Sequence, residues 1–440
     1  MKLTRRSLLA SAAAPLSGGV ARRPNFLFIL TDDHHFQCLG AAGNPHIETP
    51  HMDRLARRGL LFTNAQISTA QCCPSRGILL SGLETYQNGL LSNGRTSFRG
   101  DIGPTVIEQL RRSGYDTALV GKWHISNSPA SCGFSRAPLW LPGGGSDYRD
   151  PELRHGLEGK PRKTPGHITE LFSNAAIETV RGAKAPFFLW LAYNAPHTPW
   201  YASDLFEKKY AGRDRGAIAP PAHPKSPKPF DWNRYYAVIT ELDHHIGRVV
   251  TALEAAGQWD NTYIFVLGDN GYMCGARGLG GKVVPWEPSV RVPFIAAGAS
   301  TVRSRTTDAP AASIDLAATW LDLAGVQPAR RIAGRSLRTL LTSGAGGPEE
   351  GFSVWDDGRP EALAIRQAVE PYRLIRTRRH KLIVWESGKQ SCYDIVKDIG
   401  EERDLIADPA SREIAGQLRR RLEARMRETN DHAIAWLRKA

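Results

Sequence analysis

Four short apolar runs stand out along the chain, and each of them ends in a polar cluster. They cover residues 25–30, 116–120, 186–192 and 262–267. Apolar runs of this length, with almost no polar interruption, are typical of strands that are covered on both faces, as in a parallel sheet. The pattern therefore predicts four buried strands, each followed by polar side chains.

Helical patterns lie between these runs. Thr105 and Glu108 have the spacing of a capping box, and the helix that they begin should end near Gly114. Ser313 is expected to cap a later helix. Another helix is predicted from one apolar face that stops before Gly257, formed by Ile239, Leu242, Ile246, Val249, Val250 and Leu253. The alternation predicts an α/β fold with a central, mostly parallel sheet flanked by helices, in which ligands gather beyond the carboxyl ends of the strands.

The polar clusters after the first and the fourth run carry oxygen ligands. Asp32 and Asp33 follow the first run, and Asp269 and Asn270 follow the fourth. Oxygen ligands suit a hard cation such as Ca²⁺ or Mg²⁺. Any one of these residues alone would more commonly cap a helix or shape a turn. Two such pairs at one sheet edge favour a metal site, and the amide oxygen of Asn270 fits Ca²⁺.

The other clusters carry lysines and histidines. Lys122 and His124 follow the second run and, on an extended segment, can face the same side. His197 follows the third run in a loop made rigid by prolines, where a general acid can be held. Lys282 lies in a glycine-rich loop. Each of them alone reads as a solvated lysine or an ordinary loop histidine, but four clusters at one sheet edge indicate a site.

The run over residues 72–82 carries a thiol, a proline, a hydroxyl and a guanidinium within five residues. Pro74 fits the first turn of a helix, because an N–H at that position would lack a partner. Cys72 then lies just outside the positive end of the helix, where a nucleophile or an anion is favoured, and Arg76 adds a second positive group. The local chemistry leaves a buried cysteine pair before an ordinary helix as the alternative.

Composition limits the classes of function. The 440 residues are 41% hydrophobic, which allows one large core or two unequal ones, and the net charge is +13. The charge suits an acidic substrate or surface. No zinc-finger spacing, basic-leucine pattern or RNA-binding motif accompanies it, so no nucleic-acid partner is expected. Six cysteines without a CxxC pair argue against a disulfide scaffold or a structural zinc site.

The amino-terminal segment is predicted to be an export signal. Residues 4–9, TRRSLL, have the form of a twin-arginine signal, and a weakly apolar run continues to about Ala21. A basic disordered terminus is the alternative. The segment is too short to span a bilayer and no later run has transmembrane length, so no membrane insertion is expected. The predicted location is a bacterial periplasm or beyond.

The sequence CCPSRGILLSG at residues 72–82 resembles the signature of the type I sulfatases, in which Cys72 has the position of the modified cysteine and Cys73 a variable position. Further motifs follow in the order of that family: TDD at 31–33, GNP at 43–45, TPHMDRL at 49–55, GKWH at 121–124, PHTP at 196–199, DNG at 269–271, EPSVRVP at 287–293, RHKLI at 379–383, YDI at 393–395 and GEERDL at 400–405. The resemblance covers residues 24 to about 410.

The resemblance implies the fold of the alkaline-phosphatase superfamily. A large α/β domain would carry the site, and a smaller α+β subdomain with a short antiparallel sheet and a terminal helix would pack against it. The implied division is a signal segment at 1–23, a catalytic domain at 24–341, a linker rich in turn formers at 342–350 and a carboxyl-terminal subdomain at 351–440.

The resemblance also implies the activity, hydrolysis of a sulfate ester of a glycan or an aryl alcohol. A formylglycine-generating enzyme would oxidise Cys72 to formylglycine, whose hydrate attacks sulfur. One Ca²⁺, with Mg²⁺ as the alternative, would be bound by Asp32, Asp33, Asp269, Asn270 and residue 72.

The resemblance assigns parts in the reaction to the remaining residues. Arg76, Lys122 and Lys282 would offset the charge that builds on the sulfuryl group. His197, with Lys282, would protonate or stabilise the leaving alcohol. His124 would take a proton from the remaining hydroxyl of residue 72, so that sulfate leaves and the aldehyde returns.

Two other functions fit the same motifs. A phosphodiester or phosphonate monoester hydrolase of the superfamily would have a similar anion site. The other alternative is a binding protein that keeps the fold and leaves Cys72 unoxidised. The complete set of proposed ligands and cations argues against it, because a binding protein would not need all of them. The oligomeric state is open. Arg277 lies where many relatives have a histidine, and we expect the extra cation to favour an anionic glycan. Residues 143–145 and 220–229 are candidate substrate-recognition loops.

Overall fold

The computed structural model describes residues 22–100, 102–184, 186–214, 216–224, 229–357 and 369–439. Nearly all of the predicted signal segment lies outside these residues. The described strands are β1 (Asn25–Thr31), β2 (Gly59–Phe62), β3 (Asp116–Lys122), β4 (Arg136–Leu141), β5 (Glu152–His155), β6 (Pro161–Lys163), β7 (Phe187–Ala192), β8 (Thr262–Gly268), β9 (Phe294–Gly298), β10 (Arg305–Thr307), β11 (Gly351–Trp355), β12 (Tyr372–Arg376), β13 (His380–Trp385) and β14 (Gln390–Asp394).

The described α-helices are α1 (Pro50–Arg57), α2 (Cys72–Ser81), α3 (Thr85–Asn88), α4 (Val106–Arg112), α5 (Ile168–Arg181), α6 (Asp204–Tyr210), α7 (Trp232–Ala255), α8 (Glu287–Val290), α9 (Asp315–Ala324), α10 (Arg338–Ser343) and α11 (Arg412–Glu428). Short 3-10 turns connect several of them.

The four predicted strands are the centre of a ten-stranded sheet. Its order is β10-β2-β9-β8-β1-β7-β3-β4-β5-β6, and the pairs β8–β1, β1–β7 and β7–β3 are parallel. The pairs that involve β9, β5 and β6 are antiparallel. The predicted α/β fold with a mostly parallel central sheet is therefore confirmed, and β1, β7, β3 and β8 end at the same edge.

Helices cover both faces of this sheet because side chains along each central strand alternate between two cores. In β1, Leu27 and Ile29 pack on the face covered by α1, α5, α6 and α7. Phe26 and Phe28 pack on the opposite face, covered by α2, α4 and α9. Strands buried on both faces need no polar positions, which explains the continuous apolar runs.

The predicted helix boundaries are confirmed for α4 and corrected for α9. The Thr105 side chain accepts a hydrogen bond from the Glu108 amide at 3.0 Å and so caps α4. The six apolar positions predicted for one helix face are all buried on α7. Ser313 does not cap α9, which begins at Asp315; its hydroxyl instead accepts a hydrogen bond from the Ser68 amide at 3.0 Å.

A second, four-stranded antiparallel sheet, β11-β12-β13-β14, follows the large sheet in the chain. One of its faces packs against α11. The other face packs against residues 273–284, which lie between β8 and α8. Helix α10 extends into the proposed linker as far as Ser343, and β11 begins at Gly351, the predicted start of the carboxyl-terminal subdomain. The domain boundaries themselves stay a prediction.

A buried charge network joins this sheet to the large domain. Glu287 on α8 accepts hydrogen bonds from Arg376 Nε and Lys381 Nζ, both at 3.1 Å, and Lys381 also pairs with Glu401. Burial would raise the pKa of Glu287, but Arg376 and Lys381 hold it well below its ordinary value. Three motifs that are far apart in the sequence, at 287–293, 379–383 and 400–405, therefore meet at one point. No described helix is long and apolar enough to cross a bilayer.

We expect Glu287→Gln to lower the free energy of unfolding by about 3–5 kcal/mol, because it leaves Arg376 and Lys381 buried beside a neutral side chain. Chemical denaturation measures the change. Glu423→Gln is the control, since its pair with Arg427 is solvent-exposed and should cost less than about 0.5 kcal/mol. A Glu287→Gln protein as stable as the control would contradict this view of the network.

Candidate active site

The carboxyl ends of the four central strands place their polar clusters side by side. Thr31 is paired with Gly268, and Ala192 is paired with both Leu30 and Gly121. Residues that directly follow β1, β8, β7 and β3 must therefore project from neighbouring positions at one edge. The structure brings all four predicted clusters together there.

Three carboxylates and one amide form the floor of the site. Asp32, Asp33 and Asp269 are almost fully buried, and each offers an oxygen that lies within 4.8 Å of the others and of Cys72 Sγ. Asn270 Nδ2 donates to Asp33 Oδ1 at 2.6 Å, whereas Asn270 Oδ1 is buried with no hydrogen-bond partner among the described residues. Clustered oxygen donors and one buried amide oxygen without a partner fit a bound metal ion.

Cys72 is the first residue of α2 and is buried. Its Sγ lies 3.3 Å from Asp32 Oδ1 and 2.8 Å from Lys282 Nζ. Burial and the neighbouring Asp32 raise the pKa of the thiol to about 12, and the two lysines only partly offset this. The position at a helix start does not produce a thiolate, so at neutral pH the thiol is protonated and is a poor nucleophile.

Three buried cations balance the three carboxylates. Arg76 Nη2 donates to Asp269 Oδ2 at 2.8 Å, while its Nη1 donates to the carbonyl of Lys122 at 2.6 Å. The Lys122 ammonium pairs with Asp32. The Lys282 ammonium pairs with Asp33. Burial would lower the pKa of Lys282, but Asp33 and the other acidic groups raise it well above its ordinary value, so Lys282 is charged.

His197 presents one defined nitrogen to the site. Its Nδ1 lies 2.6 Å from the carbonyl oxygen of Thr198, which can only accept, so Nδ1 carries the proton. Its Nε2 lies 3.8 Å from Asp33 Oδ2. Burial lowers the pKa of His197, although Asp33 opposes this change.

His124 is neutral and closely packed. Burial and the positive charge of Lys122 lower its pKa to about 2. Its backbone has a φ of 61°, and Gly144 packs so closely that a Cβ there would lie 2.5 Å from the imidazole. A Cβ on Gly145 would lie 3.3 Å from His197. The predicted loop at 143–145 therefore lies against both histidines, and its part in substrate recognition stays a prediction.

Tyr235 and Tyr148 support this site but were not predicted from the sequence. The Tyr235 hydroxyl on α7 donates to the carbonyl of Asp33 and accepts a hydrogen bond from the His35 amide at 2.9 Å. It thereby supports the backbone of Asp33, whose φ of 58° is uncommon for a residue other than glycine. The Tyr148 hydroxyl donates to the carbonyl of His197 at 2.8 Å. Neither residue belongs to a motif, and α7 is about 200 positions away from Asp33 in the chain.

Arg277, the cation expected to favour an anionic glycan, contacts the carboxyl-terminal segment, and its part in substrate binding stays a prediction. Its guanidinium lies 4.1 Å from the ring centre of Trp286 and donates to the carbonyls of Gly400 and Glu401, at 3.1 Å and 2.8 Å. These contacts bind Arg277 to the carboxyl-terminal segment. The other proposed loop, 220–229, lies partly outside the described residues.

The sulfatase family profile matches residues 24–326, and the profile of the N-sulphoglucosamine sulphohydrolase carboxyl-terminal region matches residues 275–428. The chain belongs to the sulfatase family. The predicted family is confirmed, and this sulfatase is a sulfuric ester hydrolase. The parts assigned to its individual residues stay predictions.

Two curated relatives show where this sulfatase stands in the family. An N-acetylglucosamine-6-O-sulfatase of Bacteroides thetaiotaomicron is 26% identical over 96% of this chain and 90% of its own length. An N-acetylgalactosamine-6-sulfatase of Mus musculus is 30% identical over 73% of this chain and 66% of its own length. Both relatives are named for a sulfated amino sugar.

Solved structures share the fold over more than nine-tenths of the chain. A protein in complex with its substrate D-glucosamine-2-N,6-O-disulfate superposes with a TM-score of 0.79 at 24% identity, over 93% of this chain and 99% of the other. A phosphonate monoester hydrolase of Agrobacterium radiobacter gives 0.74 at 22% identity, over 94% and 97%. At these identities the likeness shows the fold alone.

Proposed function

We propose that this sulfatase removes a sulfate ester from an amino sugar of a sulfated glycan, using residue 72 as formylglycine. The observation that carries the proposal is the position of Cys72, enclosed by three carboxylates and three cations at the strand ends. The names of two relatives, and the glucosamine disulfate bound to a structural neighbour, support a sulfated hexosamine as the substrate.

The state of the thiol supports its modification. An unmodified Cys72 with a pKa near 12 would be a weak nucleophile at neutral pH, whereas a hydrated aldehyde presents hydroxyl groups at the same place. Cys72 is buried in the fold and lies on a helix whose residues are all buried. A formylglycine-generating enzyme must therefore reach residues 72–82 before this part of the chain is enclosed. Oxidation in the cytosol followed by twin-arginine export to the periplasm fits this order.

Asp32, Asp33, Asp269 and Asn270 would hold one Ca²⁺, because these residues offer oxygen ligands only. When bound, the ion supplies a positive charge that lowers the pKa of a neighbouring hydroxyl and attracts a sulfate oxygen. Without it, the three carboxylates and three cations sum to zero net charge. A divalent ion would make the site net positive, which suits a sulfate monoester.

Five side chains around residue 72 would stabilise charge and transfer protons in the reaction. Arg76, which contacts Asp32 and Asp269, and Lys122, which contacts Asp32, offset the charge on the sulfuryl oxygens, with Lys282 beside residue 72. His197 Nε2 faces the site, and in the protonated imidazole, which carries hydrogen on both nitrogens, it gives its proton to the leaving alcohol. His124 is neutral at physiological pH and so can accept the proton of residue 72 that remains after the alcohol has left.

Residue 72, and not residue 73, should carry the modification. Mass analysis of the peptide with residues 72 and 73, from protein produced with a formylglycine-generating enzyme, should show an aldehyde at position 72 only. We expect Cys72→Ala to lower kcat at least about a thousandfold. Cys73→Ala is the control, because Cys73 is equally buried but lies outside the cluster of potential metal ligands. An unmodified thiol in fully active enzyme would contradict the mechanism.

Sulfate esters should be preferred to phosphodiesters. We expect kcat/KM for 4-nitrophenyl sulfate to exceed that for an aryl phosphodiester at least about a hundredfold, a difference of about 2.7 kcal/mol in transition-state stabilisation. Parallel initial-rate measurements on the modified enzyme test this expectation. A preference for the phosphodiester at every concentration would favour the phosphonate hydrolases that share the fold.

Calcium should stabilise the folded protein through Asn270. At 100 times its dissociation constant, Ca²⁺ adds about 2.7 kcal/mol to the free energy of unfolding, which thermal unfolding detects as a raised Tm. Asn270→Ala should remove most of this shift. Asn44→Ala is the control, since Asn44 is also a buried, hydrogen-bonded asparagine but bonds to Gln37 and Tyr236. An equal shift in both variants, or a shift with Mg²⁺ alone, would overturn the assignment of Ca²⁺ to these ligands.

A further inference from the structure

A cavity of about 330 Å³ adjoins the active site at His124. It lies between the segment that follows β3 and the hairpin of β5 and β6, and its size is in the range of small-molecule sites, about 300–1,000 Å³. The lining residues that matter here are Thr96, His124, Ser126, Trp140, Arg154 and Glu158. One wall of the cavity thus belongs to the catalytic machinery, and the others do not.

Arg154 is the cation of this cavity. Its guanidinium lies 5.3 Å from the ring centre of Trp140, and its Nη1 donates to the carbonyl of Gly159 at 2.9 Å. Its Nε is buried and has no hydrogen-bond partner, and no ion pair between Arg154 and a carboxylate occurs among the described residues. A guanidinium on a cavity wall without a carboxylate partner keeps donors for an anionic ligand, and here these are the Nη2 hydrogens, which have no acceptor among the described residues.

We propose that this cavity is a subsite for a second anionic group, a sulfate or a carboxylate, that the glycan carries beside the sulfate ester to be cleaved. The subsite rests on the proposed function, because it orients a substrate whose ester sulfate lies at residue 72. Arg154 binds the second anion through Nη2, which has no acceptor among the described residues. Arginine suits this task because its planar donors match the oxygens of both anions.

The position of His124 links the subsite to the reaction. His124 lines the cavity and lies two residues after Lys122 of the charge cluster, and the chain continues from it directly into Ile125 and Ser126, which also line the cavity. A sugar bound next to His124 can therefore place one anion at the charge cluster and another at Arg154. Glu158 is exposed on the cavity lining, and its negative charge disfavours a bound anion. Removing this charge should therefore have the opposite effect to removing the charge of Arg154.

The test compares kcat/KM for substrates that differ only in their second anion. N-Acetyl-D-glucosamine-6-O-sulfate carries none and has no charged amine, D-glucosamine-2-N,6-O-disulfate carries a sulfate, and a 6-O-sulfated N-acetylhexosamine linked to a uronic acid carries a carboxylate. We expect the wild type to prefer at least one of the two doubly charged substrates about tenfold or more. The preferred one identifies the anion. Arg154→Gln should remove this preference, Arg154→Lys should keep part of it, and Glu158→Gln should increase it.

Controls separate the subsite from general effects. Arg162→Gln removes an exposed cation from the same hairpin, but Arg162 is paired with Leu153 and so projects from the face opposite to Arg154. It should leave the preference unchanged. All variants should hydrolyse 4-nitrophenyl sulfate, which has no second anion, at the rate of the wild type. If Arg154→Gln is also slow on 4-nitrophenyl sulfate, its fold is damaged and the test rests on Arg154→Lys. A reduced preference for the doubly charged substrate in Arg154→Lys then supports the subsite, and a full preference contradicts it.

Two results would overturn the subsite and leave the proposed function intact: a wild type that cleaves sulfate esters without regard to the second anion, or an Arg154→Gln variant that keeps the full preference together with an unaltered Arg154→Lys. A wild type that cleaves phosphodiesters but no sulfate ester would contradict the proposed function itself. The two failures are therefore distinguishable by the 4-nitrophenyl sulfate rate alone.

Discussion

The burial of three carboxylates at the ends of β1 and β8 is the constraint on which the rest of this structure depends. Unpaired, each would cost several kcal/mol, more than a protein of marginal stability can lose. Each one is therefore matched by a cation from a different element: Arg76 from α2, Lys122 from β3 and Lys282 from the loop before α8. The sheet order, the start of α2 and the path of the loop all satisfy this pairing.

The same pairing prepares the site for an anion. The charged groups are held in place by one another before a substrate arrives, so little reorganisation is needed when negative charge develops. The neutral sum of the cluster also means that small changes in charge, such as a bound cation, alter its affinity for anions strongly. The charge balance that stabilises the buried cluster therefore also makes its affinity for anions sensitive to a bound cation.

Sequence patterns predicted the part of the molecule that depends on local rules. The central strands follow from uninterrupted apolar runs, and the convergence of Asp32, Asp269, Lys122 and His197 follows from the common edge of parallel strands. Contacts between distant segments could not be predicted in this way. Tyr235 supports Asp33 from a helix far along the chain, and Arg277 donates to the carbonyl of Glu401, more than a hundred positions away. No spacing rule encodes such tertiary pairs.

The link between Lys282 and the small sheet gives the site an order of assembly. Residues 273–284 pack against β12 and β13, and Glu287 is held by Arg376 and Lys381. The loop that brings Lys282 next to Cys72 therefore gains part of its support from the last quarter of the chain. Synthesis begins at the other end. Cys72 is thus synthesised well before the segment that completes its surroundings, and this interval is consistent with the proposed modification of Cys72 during maturation.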